Sequence, residues 1–315
     1  MEQYDFISNN ITLAQVKSII TKAGFKSADF VYTARVGGDG YLAKGDTAMS
    51  TTRLRNAAKA LNIKVEISSP ASDEAMADDA VTNYTVTINF ADTTPAQLNS
   101  QGYLLYGFKA VQTSQKGGVP VVWFAFNSAT TPFQPSATIN WSEQYQGYIT
   151  DAAAITNGQI TAENQWDMSL GQVVDVTTSD VTDGGNPAAL SLNNPGSIPY
   201  TCGISQMQGD TPNPLCAFPL NGNHMDVIAP IEKILLMFST DVHNTGTVVE
   251  QAYSQAILID LTSAQTRAVN YDINNGWSTP GGTQGWAQTF PPNSELVPML
   301  IDTTSPSAFL RRRLR

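Results

Sequence analysis

Beyond residue 80, the apolar and aromatic residues of this chain come in short runs of strand length. Residues 84–90 (YTVTINF) alternate at every second position, as a strand with one buried and one solvated face does. Residues 103–111 and 119–126 are aromatic and β-branched, and the KGG between them predicts a turn joining two buried strands. Further strands are predicted over residues 138–149, 227–239, 247–261 and 266–273. This pattern predicts a mainly β fold built from antiparallel β-sandwich modules.

The scarcity of charge supports the same fold class. Charged residues make up only 14% of the chain, whereas an average soluble protein has about 25%. Serine, threonine, asparagine, glutamine and glycine take their place, which lowers helix propensity and favours strands with neutral outer faces and tight turns. Pro230 cannot donate a hydrogen bond inside its predicted strand, so we expect a bulge or an edge there.

Residues 1–70 differ from the rest and predict a small α/β unit. Thr12 can cap a helix whose apolar residues recur at helical spacing until Gly24. Residues 53–61 predict a second helix with Leu54 on its apolar stripe. Strands are expected over residues 30–36 and 63–67.

The domain organisation follows from composition. Residues 70–79 (PASDEAMADD) are small, polar and acidic, and mark the first boundary. Residues 80–178 form one β-sandwich module, and residues 198–305 form either a second module or the second half of the same sandwich. The stretch between them, residues 179–197, is rich in glycine, asparagine and proline and predicts a long loop or a second boundary. Residues 306–315 form a basic C-terminal tail.

The net charge of -10 is unevenly distributed along the chain. Residues 71–310 carry four basic side chains against 21 acidic ones, so this body is unsuited to binding nucleic acid, which needs clustered lysine and arginine. The tail contributes Arg311, Arg312, Arg313 and Arg315. It can bind the acidic body of a neighbouring copy, an anionic lipid surface or RNA, or it can simply be a solvated terminus.

Neither a signal peptide nor a membrane helix is predicted. The first ten residues lack a basic segment followed by an apolar run, and no apolar stretch approaches about 18 residues. We therefore expect a cytoplasmic protein or one exported by a route that reads no N-terminal signal.

Catalytic and metal-binding motifs are weak. The two histidines, His224 and His243, lie beside turn residues, and no G-x-S-x-G elbow accompanies them, which argues against an enzyme. No zinc motif is present, and we predict no cofactor. The acidic residues Asp175, Asp180 and Asp183 offer oxygen ligands for calcium, although such turns commonly use aspartate for backbone geometry.

The two cysteines leave two alternatives open. Cys202 and Cys216 lie 14 residues apart in a segment rich in glycine and proline. They form a loop-closing disulfide if the protein meets an oxidising environment, and otherwise remain two buried thiols.

Aromatic residues beside amides and hydroxyls are the best candidates for a binding surface. Trp277 and Trp286 lie in a glycine-rich segment, and Trp141, Tyr145 and Tyr148 are spaced through polar residues. Such rings suit sugars, lipid headgroups or a neighbouring subunit, and the alternative is that they fill the core.

Three functional classes remain. We favour a non-enzymatic protein that self-assembles into a shell, fibre or inclusion, and so a homo-oligomer, because neutral sheet faces and edge strands permit ordered contacts between copies. The second is a glycan- or membrane-binding protein, including a pore-forming or insecticidal-type toxin. The third is an enzyme whose site the sequence does not reveal.

Overall fold

The computed structural model describes residues 2–7, 11–34, 40–45, 51–63, 66–68, 82–208 and 211–303. The chain divides into two compact units, Met1–Ala80 and Val81–Arg315. The boundary therefore falls at the end of the acidic segment predicted to separate the units. The predicted tail, residues 306–315, lies outside the described residues.

The N-terminal unit has a β-α-β-β-α-β order. Its elements are β1 (Glu2–Ile7), α1 (Leu13–Lys22), β2 (Phe30–Ala34), β3 (Gly40–Gly45), α2 (Thr51–Lys59) and β4 (Glu66–Ser68). The strands form an antiparallel sheet in the order β2-β3-β1-β4, the split β-α-β arrangement. Thr12 caps α1 as predicted, in a reciprocal capping box with Gln15. Both predicted helices are confirmed, whereas β1 and β3 were not predicted.

The second unit is mainly β. Its elements are β5 (Asn83–Phe90), α3 (Thr94–Ser100), β6 (Leu104–Thr113), β7 (Val119–Pro120), β8 (Phe124–Asn127), β9 (Ser136–Ser142), β10 (Tyr145–Thr150), β11 (Asn164–Met168), β12 (Gln172–Asp175), β13 (Asp180–Asp183), β14 (Leu190–Asn194), β15 (Tyr200–Gln208), β16 (Thr211–Pro214), β17 (Cys216–Leu220), β18 (His224–Ser239), β19 (Ala256–Asp260), β20 (Thr266–Asp272), β21 (Gly276–Ser278), β22 (Ala287–Phe290), α4 (Val297–Leu300) and β23 (Ile301–Asp302). The predicted mainly β fold is confirmed.

The strands of this unit form three sheets. A four-stranded sheet has the order β21-β20-β5-β9, and a six-stranded sheet runs β11-β10-β15-β17-β7 with β16 beside β15. The nine-stranded sheet centres on β18, which pairs with β6 along one side and with β14 and then β19 along the other. Most pairs are antiparallel, but β5–β20, β12–β14 and β6–β23 are parallel.

The main hydrophobic core draws side chains from all three sheets. Both faces of β6 and β18 are buried, because a second cluster that includes Leu235 and Leu300 covers the opposite face of the nine-stranded sheet. Pro230 lies where β18 has passed β14 and not yet reached β19, so β18 has a local edge at this position, as predicted. The β6–β18 register shifts between Ile231 and Ile234, which is a bulge immediately after this proline.

Four sequence-based boundaries differ from the structure. The predicted strand over 247–261 is shorter, because only Ala256–Asp260 pair as β19. The predicted strand over 119–126 divides, because β8 pairs with β6 whereas β7 pairs with β17 in another sheet. The predicted segment 138–149 likewise divides into β9 and β10, which belong to different sheets. The predicted loop over 179–197 contains β13 and β14, because buried Leu190 and Leu192 anchor β14 beside β18.

Candidate functional site

One face of the four-stranded sheet carries a grid of uncharged side chains, all of them polar except Ala268. Strand β5 contributes Thr85, Thr87 and Asn89, and the cross-strand register places neighbours from β9, β20 and β21 beside them. We call this surface the neutral face, and its ten residues are Thr85, Thr87, Asn89, Ser136, Thr138, Asn140, Thr266, Ala268, Asn270 and Ser278. Each is exposed or half-buried, and none is ionisable.

The alternation in the sequence explains how this face forms. In β5 the intervening side chains, Tyr84, Val86 and Ile88, are buried in the main core. Every second residue therefore points outward, and one residue of slip would bury the threonines instead. With strands about 4.8 Å apart and about 6.7 Å between every second residue, the face covers roughly 14 Å in each direction.

Cross-strand contacts order the neutral face. The Thr85 hydroxyl donates to Asn140 Oδ1 at 2.9 Å, and Asn89 Nδ2 donates to Asn270 Oδ1 at 3.5 Å. Hydroxyl and amide groups both donate and accept hydrogen bonds, so such a surface can pair with an identical surface. Asp272 lies at its margin and uses Oδ1 to accept the backbone N–H groups of Asn274 and Asn275.

Two cavities open beside this sheet. The first has a volume of about 410 Å³ and is lined by residues that include Asn89, Asn270 and Asp272. The second has a volume of about 440 Å³ and is lined by Trp277, Thr283 and other polar residues of that segment. Amides and hydroxyls beside an aromatic ring are groups that can contact a sugar.

The predicted aromatic residues fall into two groups. Trp141, Tyr145, Tyr148 and Trp277 are buried, so these four rings fill the core and do not form a surface. The Trp277 indole donates to the backbone oxygen of Gln255 at 3.0 Å. Trp286 is half-buried, and the Arg267 guanidinium lies 4.7 Å from its ring centre. Of the five predicted aromatic residues, Trp286 alone keeps a substantial exposed surface.

The buried aromatics instead surround a lysine–glutamate pair. Lys109 Nζ lies 2.5 Å from Glu232 Oε2, and these side chains are 0% and 4% exposed. The Trp141 indole N–H donates to the same oxygen at 2.8 Å. Glu232 Oε1 accepts the Tyr145 hydroxyl at 3.1 Å and Gln206 Nε2 at 3.4 Å. We call these five residues the ionic core cluster.

Indole rings complete the surroundings of the lysine. Lys109 Nζ lies 4.4 Å from the Trp141 ring centre and 5.6 Å from that of Trp123. Trp123 and Trp141 pack edge to face, and the Trp123 N–H donates to the Gln206 backbone oxygen at 3.2 Å. A cation over an indole face in a desolvated site is stabilised by about 2 kcal/mol or more.

Burial and pairing both act on the pKa values in the ionic core cluster. Burial lowers the pKa of Lys109, and Glu232 opposes that change. Burial by itself raises the pKa of Glu232, but Lys109, Trp141 and Tyr145 outweigh it and the net pKa is lowered. Burial, with the adjacent Glu232 charge, raises the pKa of the Tyr145 hydroxyl well above its ordinary value.

Sequence reasoning did not identify Lys109 and Glu232 as a pair. The available signal was a single charge inside an otherwise apolar strand, because such a charge needs a buried partner. Residues 231–234 (IEKI), however, contain two adjacent charged side chains, and from the sequence either Glu232 or Lys233 could face inward. The bulge decides this, since Lys233 is one-third exposed and pairs with Asp260 at 3.1 Å.

The predicted calcium ligands do not come together. Asp175 Oδ1 accepts the backbone N–H groups of Thr177 and Thr178 and so closes the β12–β13 hairpin. Asp180 is opposite Asp175, but Asp183 is opposite Gln172, about 10 Å further along the strand. Across the described ranges, no group of three or more metal-ligating side chains could hold an ion. The structure therefore does not bring the three aspartates together, and Asp175 serves the turn.

The cysteines are two free, buried thiols in the structure, so the disulfide alternative is not formed. Cys202 is directly opposite Phe218, and Cys216 is its diagonal neighbour. Diagonal positions lie about 7–8 Å apart, beyond the usual disulfide separation. The Cys202 thiol instead donates to Asp226 Oδ2 at 3.2 Å.

The two histidines occupy separate places. His224 is exposed, and its Nδ1 is 2.9 Å from the Gly222 backbone oxygen. The His243 ring stacks on Tyr253 with 4.9 Å between ring centres. Neither arrangement is that of a histidine poised between a nucleophile and a carboxylate.

No family model, curated protein or solved structure matches this chain. Within the described part of the chain, none of the helices is both long and apolar enough to cross a membrane. The predicted Arg311, Arg312, Arg313 and Arg315 lie outside the described residues.

Proposed function

We propose that this protein is a non-enzymatic structural protein that self-assembles through the neutral face. The single observation that carries the proposal is the grid of ten uncharged outward side chains on one sheet. Residues 71–310 carry 21 acidic against four basic side chains, so most pairs of surfaces formed by this body on two copies would repel one another. The neutral face is a place where two copies can meet without that repulsion.

The chemistry of the neutral face favours an identical partner. A two-fold contact must be self-complementary, because the same residues lie on both sides. Threonine, serine and asparagine side chains satisfy this requirement, since each both donates and accepts hydrogen bonds. A stable interface buries about 800 Å² on each partner, so residues around the grid would join the contact.

The experiment compares oligomeric states. We expect the full chain to be an oligomer by light scattering coupled to size-exclusion chromatography. Thr87→Glu, at the centre of the neutral face, should shift it toward the monomer. Thr182→Glu, at an exposed strand position of another sheet, is the matched control and should leave the oligomer unchanged. A wild-type chain that is monomeric at every concentration, or equal behaviour of the two variants, would refute the proposal.

Glycan binding is the second candidate, and the cavity of about 440 Å³ beside Trp277 favours it. Its lining combines the small exposed part of Trp277 with threonine and glutamine side chains, which suits a sugar ring. A glycan array probed with the labelled chain tests it. Binding that Thr283→Trp abolishes by filling the cavity, and that Thr87→Glu leaves intact, would support this function.

A further inference from the structure

We propose that the side chains of Lys109 and Glu232 condense into an intramolecular amide that joins strands β6 and β18. The contact between Lys109 Nζ and Glu232 Oε2, at 2.5 Å inside the core, carries this inference. It concerns a covalent modification site and is independent of the proposed self-assembly.

The pair is placed for reaction. When two reacting atoms lie about 3–3.5 Å apart in a fixed geometry, the effective concentration of one at the other reaches about 10⁵ M or more. Lys109 Nζ already contacts Oε2, so the carboxyl carbon is only one C–O bond further away. The bulge in β18 positions Glu232 for this contact, because Glu232 and Lys233 have no partner in the β6–β18 register, although Lys233 still pairs with Asp260 of β19.

The hydrogen bonds divide the two carboxylate oxygens into separate roles. Oε2 contacts the lysine and accepts the Trp141 N–H, which suits the oxygen that leaves. Oε1 accepts Tyr145 and Gln206, which suits the oxygen that carries negative charge during attack and then becomes the amide oxygen. These donors are held by β10 and β15, so they are in place before the reaction.

The step balances without any other reactant. One proton passes from the Lys109 ammonium to Oε2, and the amine nitrogen then attacks the carboxyl carbon to form the C–N bond. A second proton moves from nitrogen to Oε2, the C–Oε2 bond breaks, and one water leaves. The ammonium and carboxylate thereby become a neutral amide, with no oxidation or reduction.

Burial favours this product. Two charges in a low-dielectric core carry a large desolvation cost, which their attraction only partly offsets. The neutral amide removes that cost. The Lys109 and Glu232 side chains are 0% and 4% exposed, so a reactive pair sealed in this way acts on its own chain.

The test is the intact mass of the denatured full chain. We expect the folded wild-type protein to be lighter than its sequence mass by one water, about 18 Da, and proteolytic fragments containing residues 109 and 232 to remain joined. Lys109→Arg keeps the charge but should show its full sequence mass. A second measurement follows wild-type chains refolded from denaturant, which should begin at full mass and lose the water on folding.

Two outcomes would overturn the proposal. One is a folded wild-type chain that keeps its full mass after long incubation. The other is an equal loss of mass in Lys109→Arg, because the water would then come from another site.

Discussion

The C-terminal unit distributes charge in opposite ways in two of its regions. The ionic core cluster places a lysine and a glutamate where solvent does not reach, whereas the neutral face exposes ten residues to solvent without one ionisable group. Water stabilises surface charges, so the ordinary arrangement is the reverse. Charged side chains inside this unit therefore require dedicated partners. The lack of charged side chains on the neutral face removes a barrier to contact between copies.

The largest expected effect comes from breaking the buried pair. Glu232→Leu leaves the Lys109 charge without its partner and should lower the free energy of unfolding by about 3–5 kcal/mol relative to a chain that buries neither charge. Glu232→Leu combined with Lys109→Met removes both charges and should recover most of that loss. Urea unfolding followed by circular dichroism measures both variants. Neither variant can form the amide, so the comparison between them is valid whichever bond the native pair makes.

A control for this prediction is the exposed pair Lys233–Asp260, whose side chains are about one-third exposed. Lys233→Met should cost no more than about 1 kcal/mol, because surface ion pairs contribute little. Equal losses for Lys233→Met and Glu232→Leu would show that burial does not distinguish the two pairs.

The next largest effect is expected on association, when a charge is added to the neutral face. In a two-fold contact, Thr138→Glu brings two carboxylates near each other, which costs about 1 kcal/mol or more and weakens association by about tenfold. The free energy of unfolding of the Thr138→Glu variant should change by no more than about 0.5 kcal/mol, since residue 138 is exposed. Analytical ultracentrifugation measures association, and thermal unfolding measures stability. A loss of stability without a loss of association would assign this face a structural role only.

Asp226 is a buried carboxyl group with only one of its two oxygens hydrogen-bonded to a described residue, and it should make stability depend on pH. Burial raises its pKa, although Cys202 and His224 oppose this, and its Oδ1 has no hydrogen-bond partner among the described residues. Because the folded-state pKa is raised, the contribution of Asp226 to stability is full below about pH 4 and is lost as the pH rises through the folded-state pKa.

Asp226→Asn should therefore lose less stability than wild type as the pH rises from about 4 to neutrality. The melting temperature across that range measures the slope. Asp180→Asn, in the exposed hairpin, is the control and should keep the wild-type slope. An unchanged slope in Asp226→Asn would place the pH dependence elsewhere.

The smallest expected effect is on stability and concerns the second of two cations that lie above indole rings. Lys109 lies 4.4 Å from the Trp141 ring centre inside the core, and Arg267 lies 4.7 Å from that of Trp286 near the surface. Arg267→Gln should cost only about 0.5–1 kcal/mol in urea unfolding, because solvent weakens the attraction. A larger loss would mean that Arg267 also supports β20 through its hydrogen bonds to Asp260 and Ser263.

The sequence predicted local patterns better than long-range pairing. The alternation of YTVTINF correctly predicted a strand with one buried face, and Thr12 and Gly24 correctly predicted the limits of α1. That β9 and β20 would flank β5 and extend its polar rows was not predictable, because residues far apart in the chain set that register.

The ionic core cluster shows the same limit more sharply. The aromatic residues Trp141 and Tyr145 were recognised as a group, but their spacing alone suited a surface as well as a core. In the fold, Trp141 and Tyr145 are buried against Lys109 of β6 and Glu232 of β18, which are 123 positions apart in the chain. A charge isolated in an apolar strand indicates that a partner exists, whereas only the register identifies that partner.

The placement of β23 has a consequence for biosynthesis. Ile301 and Asp302 pair in parallel with Val111 and Gln112, so the edge of β6 is completed by residues synthesised about 190 positions later. A ribosome adds about 5–20 residues each second, so on the order of ten seconds or more pass between the synthesis of β6 and that of β23. During that interval an aromatic, β-branched strand has an unprotected backbone edge. We therefore expect nascent chains truncated before residue 301 to depend on chaperones and to aggregate when released early.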